Sequence, residues 1–175
     1  MTGEPTGSRA WMAIVALGVL IPIAFIVITR LEQQGWWTPA PEAAPEFDVP
    51  LLVADGRATL AASRGRPMLI NFWASWCTLC KSELPLFQVL GEQARGWNGV
   101  ILAVATADEQ EAATAAIRQQ PRTFPVAYDV GGMAANYGVR ALPQTLLIDR
   151  DGFIVRRYAR PLTTEDLPTV IAHLR

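Results

Sequence analysis

An α/β three-layer sandwich behind an N-terminal apolar anchor is the architecture that this sequence predicts. Three observations point there. Strand-like and helix-like segments alternate over roughly the last 130 residues and end in a hairpin. The two cysteines, Cys77 and Cys80, stand where an apolar strand-like run meets a run of helix formers. Ahead of both, 19 consecutive residues from Trp11 to Thr29 carry no charge. A length of 175 residues leaves room for one such domain plus an extension.

Residues 1–10 read as a polar tail and 11–29 as a transmembrane anchor. At ~1.5 Å per residue the run matches a ~30 Å hydrocarbon core. Arg9 and Arg30 flank it, and Trp11, Trp36 and Trp37 lie near its ends, where interfacial aromatics belong. A cleaved signal peptide competes with this reading, but Arg30-Leu31-Glu32-Gln33-Gln34 makes a poor cleavage site. With one arginine on each flank, charge alone does not set the orientation. Residues 30–46, with three prolines between Thr38 and Glu46, read as an extended linker, so the folded domain is expected at 47–175.

Within that domain, Leu51–Val53 and Ala58–Leu60 around Asp55-Gly56 predict a β-hairpin. Met68–Ala74, with Asn71 as its one polar residue, predicts a central strand buried on both faces. Helical pattern follows from Cys77 to Ala94, with a kink expected at Pro85 because proline lacks an amide donor. Val100–Ala105 is a second central strand. Glu109–Gln120 is a helix with acids at its start and Arg118 at its end, as the helix dipole prefers. Phe124–Tyr128 is a short strand and Met133–Tyr137 a short helix. Gln144–Ile148 and Phe153–Tyr158 flank Asp149-Arg150-Asp151-Gly152, a strong hairpin signal. Thr164–Leu174 forms the last helix.

The charge balance, 15 basic against 16 acidic residues with no block of either sign, does not indicate a nucleic-acid footprint. Two cysteines three apart cannot build a disulfide framework; their short loop suits chemistry more than stapling. Cys77 at a helix start faces unpaired amides and the positive end of the dipole, both of which favour the thiolate. Cys80, one turn on, is close enough to bond to it and should be the more buried. Cys77 would attack a partner disulfide, and Cys80 would then resolve the mixed disulfide.

Zinc binding is the competing reading of the pair. It needs about four ligands, and the single histidine, His173, falls on the last predicted helix, where a surface position is expected. No metal or other cofactor is expected. A peroxidase site would place threonine or serine three residues before its cysteine, where this chain has Ala74. Of the two neighbouring tryptophans, Trp73 is expected in the core and Trp76 on the partner-facing surface.

From about Phe47 onward the chain resembles the membrane-anchored, thioredoxin-like branch of TlpA, ResA and the cytochrome c maturation thioredoxins. The residues that carry this are Asn71-Phe72-Trp73-Ala74-Ser75-Trp76-Cys77-x-x-Cys80 with Glu83 and Pro85, followed by Tyr137-Gly138-Val139-Arg140-Ala141-Leu142-Pro143-Gln144-Thr145 through Gly152. The resemblance implies a thioredoxin-like three-layer α/β/α sandwich with an N-terminal β-hairpin and a central insertion at Ala107–Asp129. It implies a cis-proline at Pro143, which with Leu142 and Trp76 would bind an extended client. It also implies that Glu83 accepts the proton of the resolving thiol, against the plain alternative of an exposed helix glutamate. Asn71 takes the place of a buried aspartate in thioredoxin itself. Leu79 stands where this branch usually has proline, which leaves the redox potential open.

The function so implied is a thiol–disulfide oxidoreductase of the bacterial inner membrane, single-pass, with its redox domain in the periplasm. Its partners would be client protein thiols and disulfides, a membrane thiol donor or acceptor of electrons, and the lipid bilayer through 11–29; a monomer is expected. Reduction of clients, as in cytochrome c maturation, is the favoured direction. A disulfide oxidase or isomerase, or a redox-inert binding module with the same fold, are the alternatives.

Overall fold

A computed structural model describes residues 14, 17–27, 41–94, 96–120 and 122–175. The chain divides into two units, the second being Pro41–Arg175. In the first, residues 17–27 are helical and every one of them is exposed. Among the described residues no helix is long and apolar enough to cross a membrane. The ends of the expected 11–29 anchor, the 1–10 tail and residues 30–40 of the linker lie outside the described residues.

The second unit is built on β4 (Met68–Trp73), buried at all six positions. Parallel β5 (Val100–Ala105) lies on one side of it and antiparallel β7 (Gln144–Ile148) on the other. Outside these run β6 (Val126–Tyr128) beside β5, and β8 (Phe153–Tyr158) then β1 (Glu42–Ala43) beside β7. The sheet order is β1-β8-β7-β4-β5-β6. Side chains alternate faces along a strand, so β4 feeds two cores. Leu69 and Trp73 pack with Phe87 and Leu90 of α2 (Leu84–Ala94), Ala113 and Ile117 of α3 (Gln110–Gln119), and Val170 and Leu174 of α5 (Leu167–Leu174). Met68, Ile70 and Phe72 pack on the other face. Their partners there are Phe47, Val49 and Leu60 around the β2–β3 hairpin (Asp48–Pro50, Arg57–Thr59), with Met133 and Tyr137 at α4 (Met133–Asn136). The three layers are present. One outer layer is helical; the other is a hairpin and a single short helix.

Several expectations need correction. The domain begins before Phe47, because Glu42 and Ala43 pair with Ile154 and Phe153 at the sheet edge. That pairing uses backbone groups, so it needs no apolar side chains and left no pattern to read. The Tyr137 hydroxyl, 2.6 Å from the Pro45 carbonyl, and an Arg157–Glu42 ion pair fix the same stretch. The hairpin is shifted: Asp48–Pro50, not Leu51–Val53, pairs with β3. Leu51 and Leu52 turn away to bond the β6 edge, with the Leu52 amide 2.8 Å from the Val126 carbonyl. His173 is half-buried, its Nε2 2.8 Å from the Ile148 carbonyl.

The expected kink falls at Glu83, between α1 (Thr78–Ser82) and α2, not at Pro85. Pro85 occupies the first turn of α2, where amides have no intrahelical acceptor and a missing donor costs nothing.

Gly91 marks a close approach of α2 to the segment at Thr123 and Phe124. A Cβ there would lie 2.1 Å from Thr123 Oγ1 and 2.7 Å from Phe124 Cδ1. Gly91→Ala should therefore lose stability despite its better helix propensity. Overpacking of ~1–3 kcal/mol outweighs a gain of ~1 kcal/mol, and the midpoint of urea unfolding should fall.

Candidate active site

β4 ends at Trp73 and hands the chain to Ala74-Ser75-Trp76, which delivers Cys77 to the start of α1. Cys77 is the N-cap of that helix, and its Sγ accepts a hydrogen bond from the Cys80 amide at 3.1 Å. The same amide would stabilise a thiolate on Cys77 when the pair is reduced. Cys77 and Cys80 are joined in a disulfide. They are buried alike, at 5% and 4% exposure, so the greater burial expected for Cys80 is not seen in this oxidised state. The two bulky apolar side chains beside them are open to solvent: Trp76 at 61% and Leu79 at 57%.

The loop before Cys77 is clamped from the start of the insertion. Asp108 accepts from the Ser75 amide at 2.5 Å and from the Ser75 hydroxyl at 2.9 Å. The Trp76 indole donates to the Ala107 carbonyl at 2.8 Å, and Ala107 sits at φ 50°, a conformation rare for a residue with a Cβ. Trp76 thus keeps a fixed ring plane while exposing most of its surface.

Glu83 is not an exposed helix residue. It is 3% exposed, at the break between α1 and α2. Its Oε1 accepts from the Asn71 side-chain amide at 2.8 Å, and its Oε2 from the Leu162 backbone amide at 2.9 Å. Burial pushes its pKa up to about 7, partly offset by those two hydrogen bonds. Asn71 also donates to Thr145 Oγ1 at 3.1 Å, which ties the acid to β7. Glu83, Asn71 and Cys80 line one cavity of about 290 Å³; Cys77 does not.

The Leu142–Pro143 peptide bond is cis. Phe72 pairs with Gln144, so Pro143 enters β7 at the end of the sheet where β4 leaves for the cysteines. Pro143 is buried and Leu142 half-buried, the latter packed against both cores. Of the residues expected at the site, Cys77, Cys80, Trp76, Glu83, Leu142 and Pro143 thus all gather at one end of the sheet or on the helix that starts there.

Sequence reasoning missed two groups. The Leu162 amide comes from a coil after β8, and a backbone donor leaves no mark in side-chain pattern. Asp108 reads in sequence as one more acid near a helix start, which hides its bonds to Ser75.

Fold and site together define a thiol–disulfide oxidoreductase of the thioredoxin-like class. The chain belongs to the AhpC/TSA family, whose model matches residues 41–157. It is similar to thiol:disulfide interchange protein DsbE of Pseudomonas fluorescens biotype C, 28% identical over 86% of this chain and 85% of that one. It is also similar to thiol-disulfide oxidoreductase ResA of Bacillus thuringiensis subsp. konkukian, 34% identical over 71% of this chain and 72% of that one. Among solved structures it superposes on a Chlorobium tepidum protein described as a candidate DsbE, with a TM-score of 0.71. That match has 25% identity and covers 79% of this chain and all of that one.

Protonated Glu83 should make stability pH-dependent in an unusual direction. Its folded pKa, about 7, lies above the ordinary value of 4.5, so between these the folded state holds a proton that the unfolded state has lost. The contribution is complete below pH 4.5 and is lost as pH rises through about 7. Between pH 4.5 and 8 the oxidised protein should lose about 3 kcal/mol relative to Glu83→Gln, measured by urea unfolding of both across that range.

Proposed function

We propose that this protein is a membrane-anchored reductase of protein disulfides, acting in the periplasm on clients such as those of cytochrome c maturation. The observation that carries the reading is Glu83, buried in the cavity that Cys80 lines and held near a pKa of 7. A group of that pKa can take a proton from a thiol at neutral pH and pass it on.

The steps follow. In the reduced protein the Cys77 thiolate attacks one sulfur of a client disulfide and displaces the other as a thiolate, forming a mixed disulfide. Cys80 gives its proton to Glu83, and its thiolate attacks Cys77 Sγ. The client's second sulfur leaves as a thiolate, and the Cys77–Cys80 disulfide forms. Two electrons have passed to the client. A membrane thiol donor would return them, since the chain has no nicotinamide or flavin motif. Exposed Trp76 and Leu79 beside the disulfide supply a surface for an extended client, with half-buried Leu142 at the same end of the sheet.

The anchor is supported by the uncharged run 11–29 and by the exposure of every residue of the helical stretch 17–27, an apolar surface that lipid would cover. The relatives named DsbE and ResA support the choice of thiol exchange, and a disulfide-forming pair suits an oxidising compartment.

Two measurements test this. The full chain in detergent should reduce insulin in the presence of a dithiol donor; absence of turnover sinks the reductase reading. In cells, Cys80→Ser should accumulate mixed disulfides through Cys77, at least tenfold above Cys77→Ser. Equal trapping by the two variants would refute the assigned roles, and the captured clients would report compartment and direction.

A further inference from the structure

The cavity behind Cys80 holds donors that the protein does not answer. Among the described residues, two buried side-chain nitrogens have no hydrogen-bond partner, Trp73 Nε1 and Arg122 Nη1, and both residues line this cavity. They share one wall: the Arg122 guanidinium carbon lies 4.7 Å from the centroid of the Trp73 ring. The ion pairs among the described residues involve Arg57, Arg64, Arg157 and Arg160, so no carboxylate pairs with Arg122. Burial lowers the pKa of Arg122 to about 10, and the Trp73 ring face is the group that meets its charge. Glu83 lines the same cavity, yet both of its oxygens are already engaged, by Asn71 and by Leu162.

Water could satisfy two N–H groups. It carries no charge to set against the half-buried guanidinium, whereas a carboxylate accepts from the buried Nη1–H and neutralises the cation at once. The remaining walls set the rest of the ligand. Phe87 and Phe124 are buried, and Ala112, Ala115 and Ala116 add apolar surface from α3 towards the solvent side. Lys81, the single lysine of the chain, is exposed at the cavity lining and adds positive charge at its mouth. At about 30 Å³ per water, the volume takes a molecule the size of roughly ten waters.

We propose that this cavity binds a small carboxylic acid as its anion, the carboxylate accepting from Arg122 Nη1 and Trp73 Nε1 and an apolar body resting on Phe87 and Phe124. The site is distinct from the exposed face that Trp76 and Leu79 offer to a client. It does not depend on the direction of electron flow.

Benzoate is the probe. The full chain, oxidised and in a non-ionic detergent, should bind it saturably by calorimetry, with a shift of the Trp73 indole N–H resonance over the same titration. Benzamide, of the same shape without the charge, should bind at least about tenfold more weakly. Arg122→Gln should weaken benzoate by at least about tenfold with its own melting temperature checked. No saturable shift, or equal binding of benzoate and benzamide to the unaltered protein, overturns the proposal even if Arg122→Gln fails to fold. Binding of an acetyl-glutamyl amide but not of benzoate overturns the small-molecule assignment in favour of an acidic side chain from a partner. Insulin reduction by the ligand-free chain reports separately on the reductase reading, so the two can fail independently.

Discussion

A carboxylate taken out of water must be answered by donors, and Glu83 is answered from two distant parts of the chain. One oxygen takes the Asn71 amide from the middle of β4, and the other takes the Leu162 backbone N–H from the coil beyond β8. The first bond ties the acid to the sheet, and through Asn71 to Thr145 on β7. The second requires the Leu162 coil to be held in place. Arg160 and Asp166 do this with paired contacts of 2.8 Å, while the Thr163 amide donates to the same Asp166 carboxylate at 2.8 Å. The Arg160 guanidinium beside it holds the Asp166 carboxyl well below the usual carboxylate range. Glu83 is therefore fixed from strand, coil and helix at once. Donors too few to keep it fully ionised, yet enough to keep it in place, are what leave it titrating near neutral pH.

The break in the helix after Cys80 serves the same end. An unbroken helix would carry Glu83 onward along its axis. The chain instead turns at Glu83, whose carbonyl accepts from the Leu86 and Phe87 amides to start α2. Proline two positions later fits because a first-turn residue needs no amide donor. In front, Asp108 and Ala107 hold Ser75 and Trp76, so the loop carrying Cys77 is constrained before the helix begins. The reactive disulfide sits between two braced supports, while the bulky side chains next to it, Trp76 and Leu79, face water.

Most of the sheet was legible because its strands obey simple burial rules. Met68–Trp73, Val100–Ala105, Gln144–Ile148 and Phe153–Tyr158 fall where apolar runs and the Asp149–Gly152 turn put them. The cysteine pair was legible as chemistry. What the residues could not announce was pairing by backbone alone, as at Glu42–Ala43, and donors without side chains, as at Leu162. Glu83 shows the difference best. In sequence it is one glutamate in a helical run, open to the plain reading of a solvated charge. Its burial depends on Asn71, twelve residues earlier, and on a coil 79 residues later.

Under the proposed mechanism the arrangement separates two tasks that thiol exchange must perform together. Attack on a client needs Cys77 presented to a surface, and the exposed neighbours of Cys77 supply one. Resolution needs a proton removed from Cys80, and a client covering that surface would shut out the water that could otherwise carry it. Cys80, not Cys77, lines the cavity with Glu83, and exposed Lys81 and Gln119 mark where that cavity meets solvent. In that mechanism a proton taken by Glu83 would have a way out that does not cross the proposed client interface. The acid then has to be buried near Cys80 and yet able to reload between turnovers. A pKa near 7 meets both conditions where an ordinary carboxylate, ionised throughout, would be a weaker base and a fully apolar residue none at all.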